Sequence, residues 1–133
     1  NCPEILIVDD DPMNIYSLET ILKTLGFEAE CAYNGTEAIQ KIEDRIKCRC
    51  GKNCVPYKYV FLDYEMPVKD WIETASYLSE KIARGELPAL QMIGCTGHQD
   101  EEAQEKGRKA GMNHVVVKPL RKDLLSKLIV DMK

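Results

Sequence analysis

Ile5-Leu6-Ile7-Val8-Asp9-Asp10-Asp11-Pro12-Met13-Asn14 passes from an apolar run straight into successive carboxylates and a proline. The run is short enough for a strand, and Leu18, Ile21, Leu22 and Leu25 behind it have the three-and-four spacing of one helical face. Gly26 predicts the end of that helix, since glycine takes the left-handed conformation that closes helices at little cost. Strand, charged turn and helix thus follow one another at the start of the chain.

The same unit recurs further along. Glu28 to Tyr33 reads as a second strand, and after the turn Asn34-Gly35 the spacing of Ile39, Ile42 and Ile46 marks a second amphipathic helix. Tyr59 to Leu62 is a third strand, followed by a helix carrying Ala75, Leu78 and Ile82. Leu90 to Cys95 is a fourth strand, followed by a more polar helix that runs to Ala110 and is closed by Gly111. Val115 to Val117 is the fifth strand, and Leu124, Leu125, Leu128 and Ile129 line the last helix. Strands that alternate with helices imply a parallel sheet, because each parallel connection needs a crossover, and right-handed crossovers place helices on both faces. The expected fold is α/β, a doubly wound five-stranded sheet with five helices.

A chain of 133 residues fits one domain, and 44% hydrophobic with 30% charged residues is the balance of a soluble globular protein. No apolar run approaches the roughly 20 residues that cross a bilayer, so no membrane contact is expected of this segment. A net charge of -4 argues against a surface that neutralises nucleic-acid phosphates, so no nucleic-acid partner is expected either. Among six cysteines, Cys31 and Cys95 fall in strands as buried hydrophobes, and no signal peptide precedes the first strand. A reducing, cytoplasmic compartment follows as the expectation, although a longer parent chain could be membrane-anchored. The chain opens almost directly on a strand and stops in a helix, which leaves no room for an output domain and suits a segment of a longer protein.

In open parallel sheets the ligand site lies beyond the carboxyl ends of the strands, where strand order reverses. Applied here, that rule gathers Asp9, Asp10 and Asp11 after the first strand, Asp63 after the third, Thr96 after the fourth and Lys118 after the fifth. Carboxylates brought together repel one another unless a cation joins them, and a hard, oxygen-liganded ion such as Mg²⁺ suits them. A carboxylate is also a competent nucleophile toward a phosphoryl group, with Mg²⁺, Lys118 and Thr96 sharing the charge on the transferring oxygens. Asp63 is then the acceptor. Taken singly, Asp11 reads best as a helix cap, Thr96 as another cap and Lys118 as a solvated lysine; their convergence with Asp9, Asp10 and Asp63 favours the chemical reading.

These segments, with Asn34-Gly35-Thr36-Glu37-Ala38, Leu62-Asp63-Tyr64-Glu65-Met66-Pro67, Cys95-Thr96-Gly97 and Val117-Lys118-Pro119-Leu120, resemble a two-component response-regulator receiver domain along almost the whole chain. The resemblance implies a flavodoxin-like sheet of strand order 2-1-3-4-5, with residues 1–133 as a single receiver domain. It implies that Asp10 binds Mg²⁺ directly, that Asp9 acts mostly through water, and that Asp63 bridges metal and phosphoryl group. Glu65 would offer its backbone carbonyl to the metal, Thr96 would hydrogen-bond a phosphoryl oxygen, and Lys118 would ion-pair with it. The Lys118-Pro119 peptide is expected to be cis. The implied partners are a histidine kinase or a histidine phosphotransfer protein, with a phosphorylation-dependent dimer through the fourth helix and fifth strand as a further option. The segment around Pro12 and Asn14 is most similar to receivers of hybrid histidine kinases. The domain itself would be a phosphoacceptor, not a turnover enzyme.

Several residues depart from the family pattern. Trp71 stands where the family has glycine, so the loop after Asp63 is expected to be displaced or the indole turned to solvent. Val115, three positions before Lys118, replaces the family's aromatic switch residue, with His114 beside it. Glu65 and His98 occupy positions at which the family tunes phosphoryl lifetime, and exposed polar residues of no effect are an equal alternative. Cys48, Cys50 and Cys54 fall in an insertion at about residues 47–56, roughly ten residues beyond the usual connection. A flexible basic loop with free thiols is preferred there over a zinc site, since the spacing lacks paired Cys-x-x-Cys ligands. Two other functions compete: a haloacid-dehalogenase-type phosphatase, which would need Asp rather than Glu65 as its acid/base, and a pseudo-receiver that only binds protein.

Overall fold

The computed structural model describes residues 4–47, 57–63, 71–87, 90–96, 101–117 and 122–131. The order is β1 (Ile5–Val8), α1 (Pro12–Thr24), β2 (Ala29–Ala32), α2 (Gly35–Lys47), β3 (Tyr59–Asp63), α3 (Trp71–Ala83), β4 (Gln91–Thr96), α4 (Glu101–Lys109), β5 (His114–Val117) and α5 (Lys122–Asp131). All strand pairs are parallel, in the sheet order β2-β1-β3-β4-β5. The expected alternation and strand order are both present. Strand ends differ from expectation by a residue or so. β2 is trimmed to Ala29–Ala32, β3 extends to Asp63, β4 is shifted to Gln91–Thr96, and β5 gains His114.

Alternation of side chains along each strand divides the core in two. Leu6, Val8, Val60, Leu62 and Met92 face one side, where Ile39 and Ile42 of α2 and Ala75 and Leu78 of α3 cover them. Ile5, Ile7, Tyr59, Phe61, Ile93 and Cys95 face the other, against Ile15, Leu18 and Leu22 of α1 and Leu125 and Ile129 of α5. The central strands are therefore apolar at consecutive positions, as both faces are dry. Burying a side chain such as Phe61 or Leu62 contributes about 1.5–3 kcal/mol, so the sheet's scaffold is held chiefly by these two layers.

Local signals set the helix ends. Asp11 is the N-cap of α1, its carboxylate accepting from the Met13 N–H at 2.9 Å, and Pro12 opens the helix, where a missing N–H is harmless. Asn34 caps α2 likewise, accepting from the Glu37 N–H at 2.8 Å. Gly26 follows α1 at φ 90° and Gly111 follows α4 at φ 103°, the left-handed conformation expected of both. At Gly111 space matters too, since a Cβ would lie 1.7 Å from Ser79 Oγ of α3.

Cys31 and Cys95 are both unbridged strand residues. Cys95 is buried as expected, but Cys31 is only half-buried: β2 is an edge strand and lacks a neighbour to cover it. Among the described residues no helix is long and apolar enough to cross a membrane.

Candidate functional site

Strand register brings the carboxylates together. Val8 of β1 pairs with Leu62 of β3, so Asp9 and Asp63 each stand one step beyond the same rung. Asp63 pairs in turn with Cys95 of β4, and Thr96 with Val117 of β5, which carries the line of strand ends across the sheet. Asp9 is held by its own backbone, the N–H donating to Ala32 O of β2 at 3.1 Å. Its carboxylate accepts the Asp11 N–H at 2.9 Å, which couples it to the cap of α1.

Asp9, Asp10 and Asp63 each present a carboxylate oxygen within 4.8 Å of the others. Asp9 and Asp63 are buried and Asp10 is exposed, so the cluster has a dry floor and one wet side. Two ionised carboxylates at such a separation repel by about 3–4 kcal/mol at an effective dielectric of 20. A hard divalent ion with oxygen bonds of about 2.0–2.6 Å would turn this repulsion into attraction, and three oxygens on one side leave room for water and a substrate oxygen on the other. The donor set therefore fits Mg²⁺.

Thr96 is the last residue of β4 and is 1% exposed. The described span of α4 starts at Glu101, five positions further along the chain. Asp11, which sequence alone reads best as a cap, is one. Val115 is half-buried against the core layer under α2 and α3, with His114 exposed beside it. Glu65, His98, Lys118, the Lys118-Pro119 peptide and Cys48, Cys50 and Cys54 lie outside the described residues. Trp71 is the first residue of α3, and its side chain likewise lies outside them.

A cavity of about 360 Å³ adjoins the carboxylates on the α1 side of the sheet. Ile7, Phe61 and Cys95 line it from the strands, and Asn14 and Ser17 from α1. Sequence reasoning missed this lining. A signal was available only in the parity of Phe61 and Cys95, which share a sheet face, and not in any motif.

A family model described as the response regulator receiver domain matches residues 5–130. Among curated proteins the chain is 35% identical over 126 residues to the two-component response regulator ARR22 of Arabidopsis thaliana, covering 94% of this chain and 80% of that protein. It is 29% identical over 126 residues to hybrid signal transduction histidine kinase L of Dictyostelium discoideum, covering 95% of this chain but only 7% of the kinase. The chain thus spans most of the first relative and a small part of the second. Among solved structures, a putative response regulator from Chloroflexus aurantiacus superposes with a TM-score of 0.80 at 25% identity, covering 99% of this chain and 98% of that one. The Vibrio cholerae chemotaxis protein CheY4 shares the fold with a TM-score of 0.78 at 22% identity and full coverage of both chains. With the parallel order 2-1-3-4-5 and the acidic cluster at its strand ends, the chain belongs to the response regulator receiver domain family of two-component signalling.

Proposed function

We propose that Asp63 accepts a phosphoryl group from a phosphohistidine on a histidine kinase or phosphotransfer protein, with Mg²⁺ held by Asp9, Asp10, Asp63 and the Glu65 carbonyl. The observation that carries this reading is the convergence of three carboxylates, two of them buried, within 4.8 Å at the ends of β1 and β3. An Asp63 carboxylate oxygen attacks phosphorus, the P–N bond to the histidine breaks, and its electron pair leaves with the imidazole. Asp63 is suited to this because β3 fixes it at the rim of a rigid sheet, so that little orientational freedom is lost on attack. Asp9 is held in position by the Asp11 N–H, which donates to its carboxylate at 2.9 Å. Bound Mg²⁺ supplies charge neutralisation on the transferring oxygens. Thr96 at the end of β4 would donate its hydroxyl to a phosphoryl oxygen, and Lys118, one residue beyond Val117 of β5, would ion-pair with another.

The whole chain, residues 1–133, is read as one receiver domain, with the Cys-rich insertion at about residues 47–56 following α2. The parent is read as a cytoplasmic response regulator or the cytoplasmic part of a hybrid histidine kinase, in keeping with the small share of kinase relatives that this chain spans. The test is labelling with acetyl phosphate, or binding of beryllofluoride, in Mg²⁺. Wild type gains one acid-stable, base-labile modification, while Asp63→Asn gains none. Equal labelling of the mutant would exclude Asp63 as acceptor.

A further inference from the structure

We propose that the cavity between α1 and the sheet is a binding site for a small uncharged aromatic molecule, held by apolar contact. Ile7 of β1 and Phe61 of β3 are rung partners, and Cys95 of β4 lies on the same sheet face, so the three make a continuous floor. Leu18 and Ile21 stand three apart on one face of α1 and form the wall. Met13 and Tyr16, two large side chains at the start of that helix, are turned to solvent at 69% and 66% exposed, and the shorter Asn14 and Ser17 stand at the mouth. The volume left, about 360 Å³, falls in the range of about 300–1,000 Å³ typical of small-molecule pockets.

Hydrocarbon is what this cavity offers a ligand. Among the described residues no buried side-chain nitrogen or oxygen lacks a hydrogen bond, and Asp9 and Asp63, which reach the lining toward the strand ends, have partners of their own. A charged group would lose its hydration against Ile7, Leu18 and Phe61, whereas an uncharged ring gains from every contact. A rigid ring also gives up less conformational freedom on entry than a flexible chain of equal area, and Phe61 presents an aromatic ring to pack against it. One hydroxyl on the ligand is accommodated at the mouth, where Asn14 and Ser17 supply hydrogen-bonding groups beside solvent. Such a ligand acts on the packing of α1 against β1 and β3 and gives the domain an input separate from phosphoryl transfer.

The test uses the full chain at neutral pH with phenol, 2-naphthol and 2-naphthoate as probes, followed by calorimetry and methyl-detected NMR. 2-Naphthol is expected to bind about tenfold tighter than phenol, in keeping with its larger apolar area, and 2-naphthoate about tenfold or more weaker than 2-naphthol. The methyl signals of Ile7, Leu18 and Ile21 shift as 2-naphthol saturates the site. Ser17→Phe, at an exposed position of α1, fills the mouth and abolishes binding while the thermal unfolding curve is retained. Thr20→Phe, also exposed but outside the lining, binds as wild type does. No binding to wild type, affinity that does not rise from phenol to 2-naphthol, 2-naphthoate bound as tightly as 2-naphthol, or shifts confined to other methyls each overturns the proposal. Undiminished binding in Ser17→Phe, or an equal loss in Thr20→Phe, overturns it as well, and if Ser17→Phe does not fold the methyl shifts decide. The phosphoacceptor reading stands or falls separately, on Mg²⁺ titration and Asp63 labelling without these probes.

Discussion

Glu30 of β2 receives two donors at once, the Arg45 guanidinium of α2 and the Tyr57 hydroxyl just before β3, and the guanidinium also lies 4.1 Å from the centre of the Tyr57 ring. This cluster ties α2 to the start of β3 on either side of the cysteine-rich insertion. Burial, then the hydrogen bond and charge of Glu30, push the Tyr57 hydroxyl well above its ordinary value of 10.0, against a smaller opposing pull from Arg45. A hydroxyl whose pKa is raised by folding contributes stability that is complete below the unfolded value and is lost as pH rises beyond it. Unfolding free energy is therefore expected to fall above about pH 10, and Tyr57→Phe removes this tyrosine's share of the fall, while Tyr59, also raised chiefly by burial, keeps its own. At neutral pH the same substitution costs about 1.5 kcal/mol, the worth of a hydrogen bond to a charged acceptor, which urea denaturation at the two pH values would measure.

Helix ends and turns carry the next predictions. Asp11→Ala removes the cap of α1 and is expected to cost about 1 kcal/mol in denaturant melts. The bond that Asp9 accepts comes from the Asp11 backbone, so Mg²⁺-dependent labelling survives the change. Gly111→Ala is expected to be more severe, at about 2–4 kcal/mol, because left-handed strain adds to a Cβ placed 1.7 Å from Ser79 Oγ. Ser79 itself donates to Ala110 O at 2.9 Å, so the clash also disturbs the junction of α3 with the turn after α4. A thermal melt of Gly111→Ala beside Gly26→Ala separates the two causes, since Gly26 has a positive φ but open space around it.

For the whole molecule, three carboxylates within 4.8 Å at the strand ends repel one another, and a bound cation would offset that repulsion. Saturating Mg²⁺ is expected to raise Tm, by linkage worth about 2.7 kcal/mol at a hundred times the dissociation constant, and EDTA reverses the shift. Asp10→Asn removes one charge from the cluster, so without metal it is expected to unfold at higher temperature than wild type, and with Mg²⁺ to gain less. Calorimetric scans of both proteins with and without Mg²⁺ check the crossing. A mutant less stable than wild type in EDTA would count against mutual repulsion of the three carboxylates.

The alternation of strands and helices was legible because apolar runs such as Ile5–Val8 and spaced residues such as Leu18 and Leu22 carry the period of their own structure. Asp9, Asp10, Asp63 and Thr96 were legible as a set because open parallel sheets place their ligands at strand ends. Strand boundaries were not: β3 reaches Asp63 because that residue finds Cys95 as a rung partner, and β4 reaches Thr96 because Val117 pairs with it. Nor did sequence reveal that edge position leaves Cys31 half-covered, that Glu30, Arg45 and Tyr57 meet, or that a cavity opens beside the carboxylates. Patterns along the chain report what a residue prefers locally, whereas these features arise where segments far apart in sequence approach one another, and only packing decides that distance.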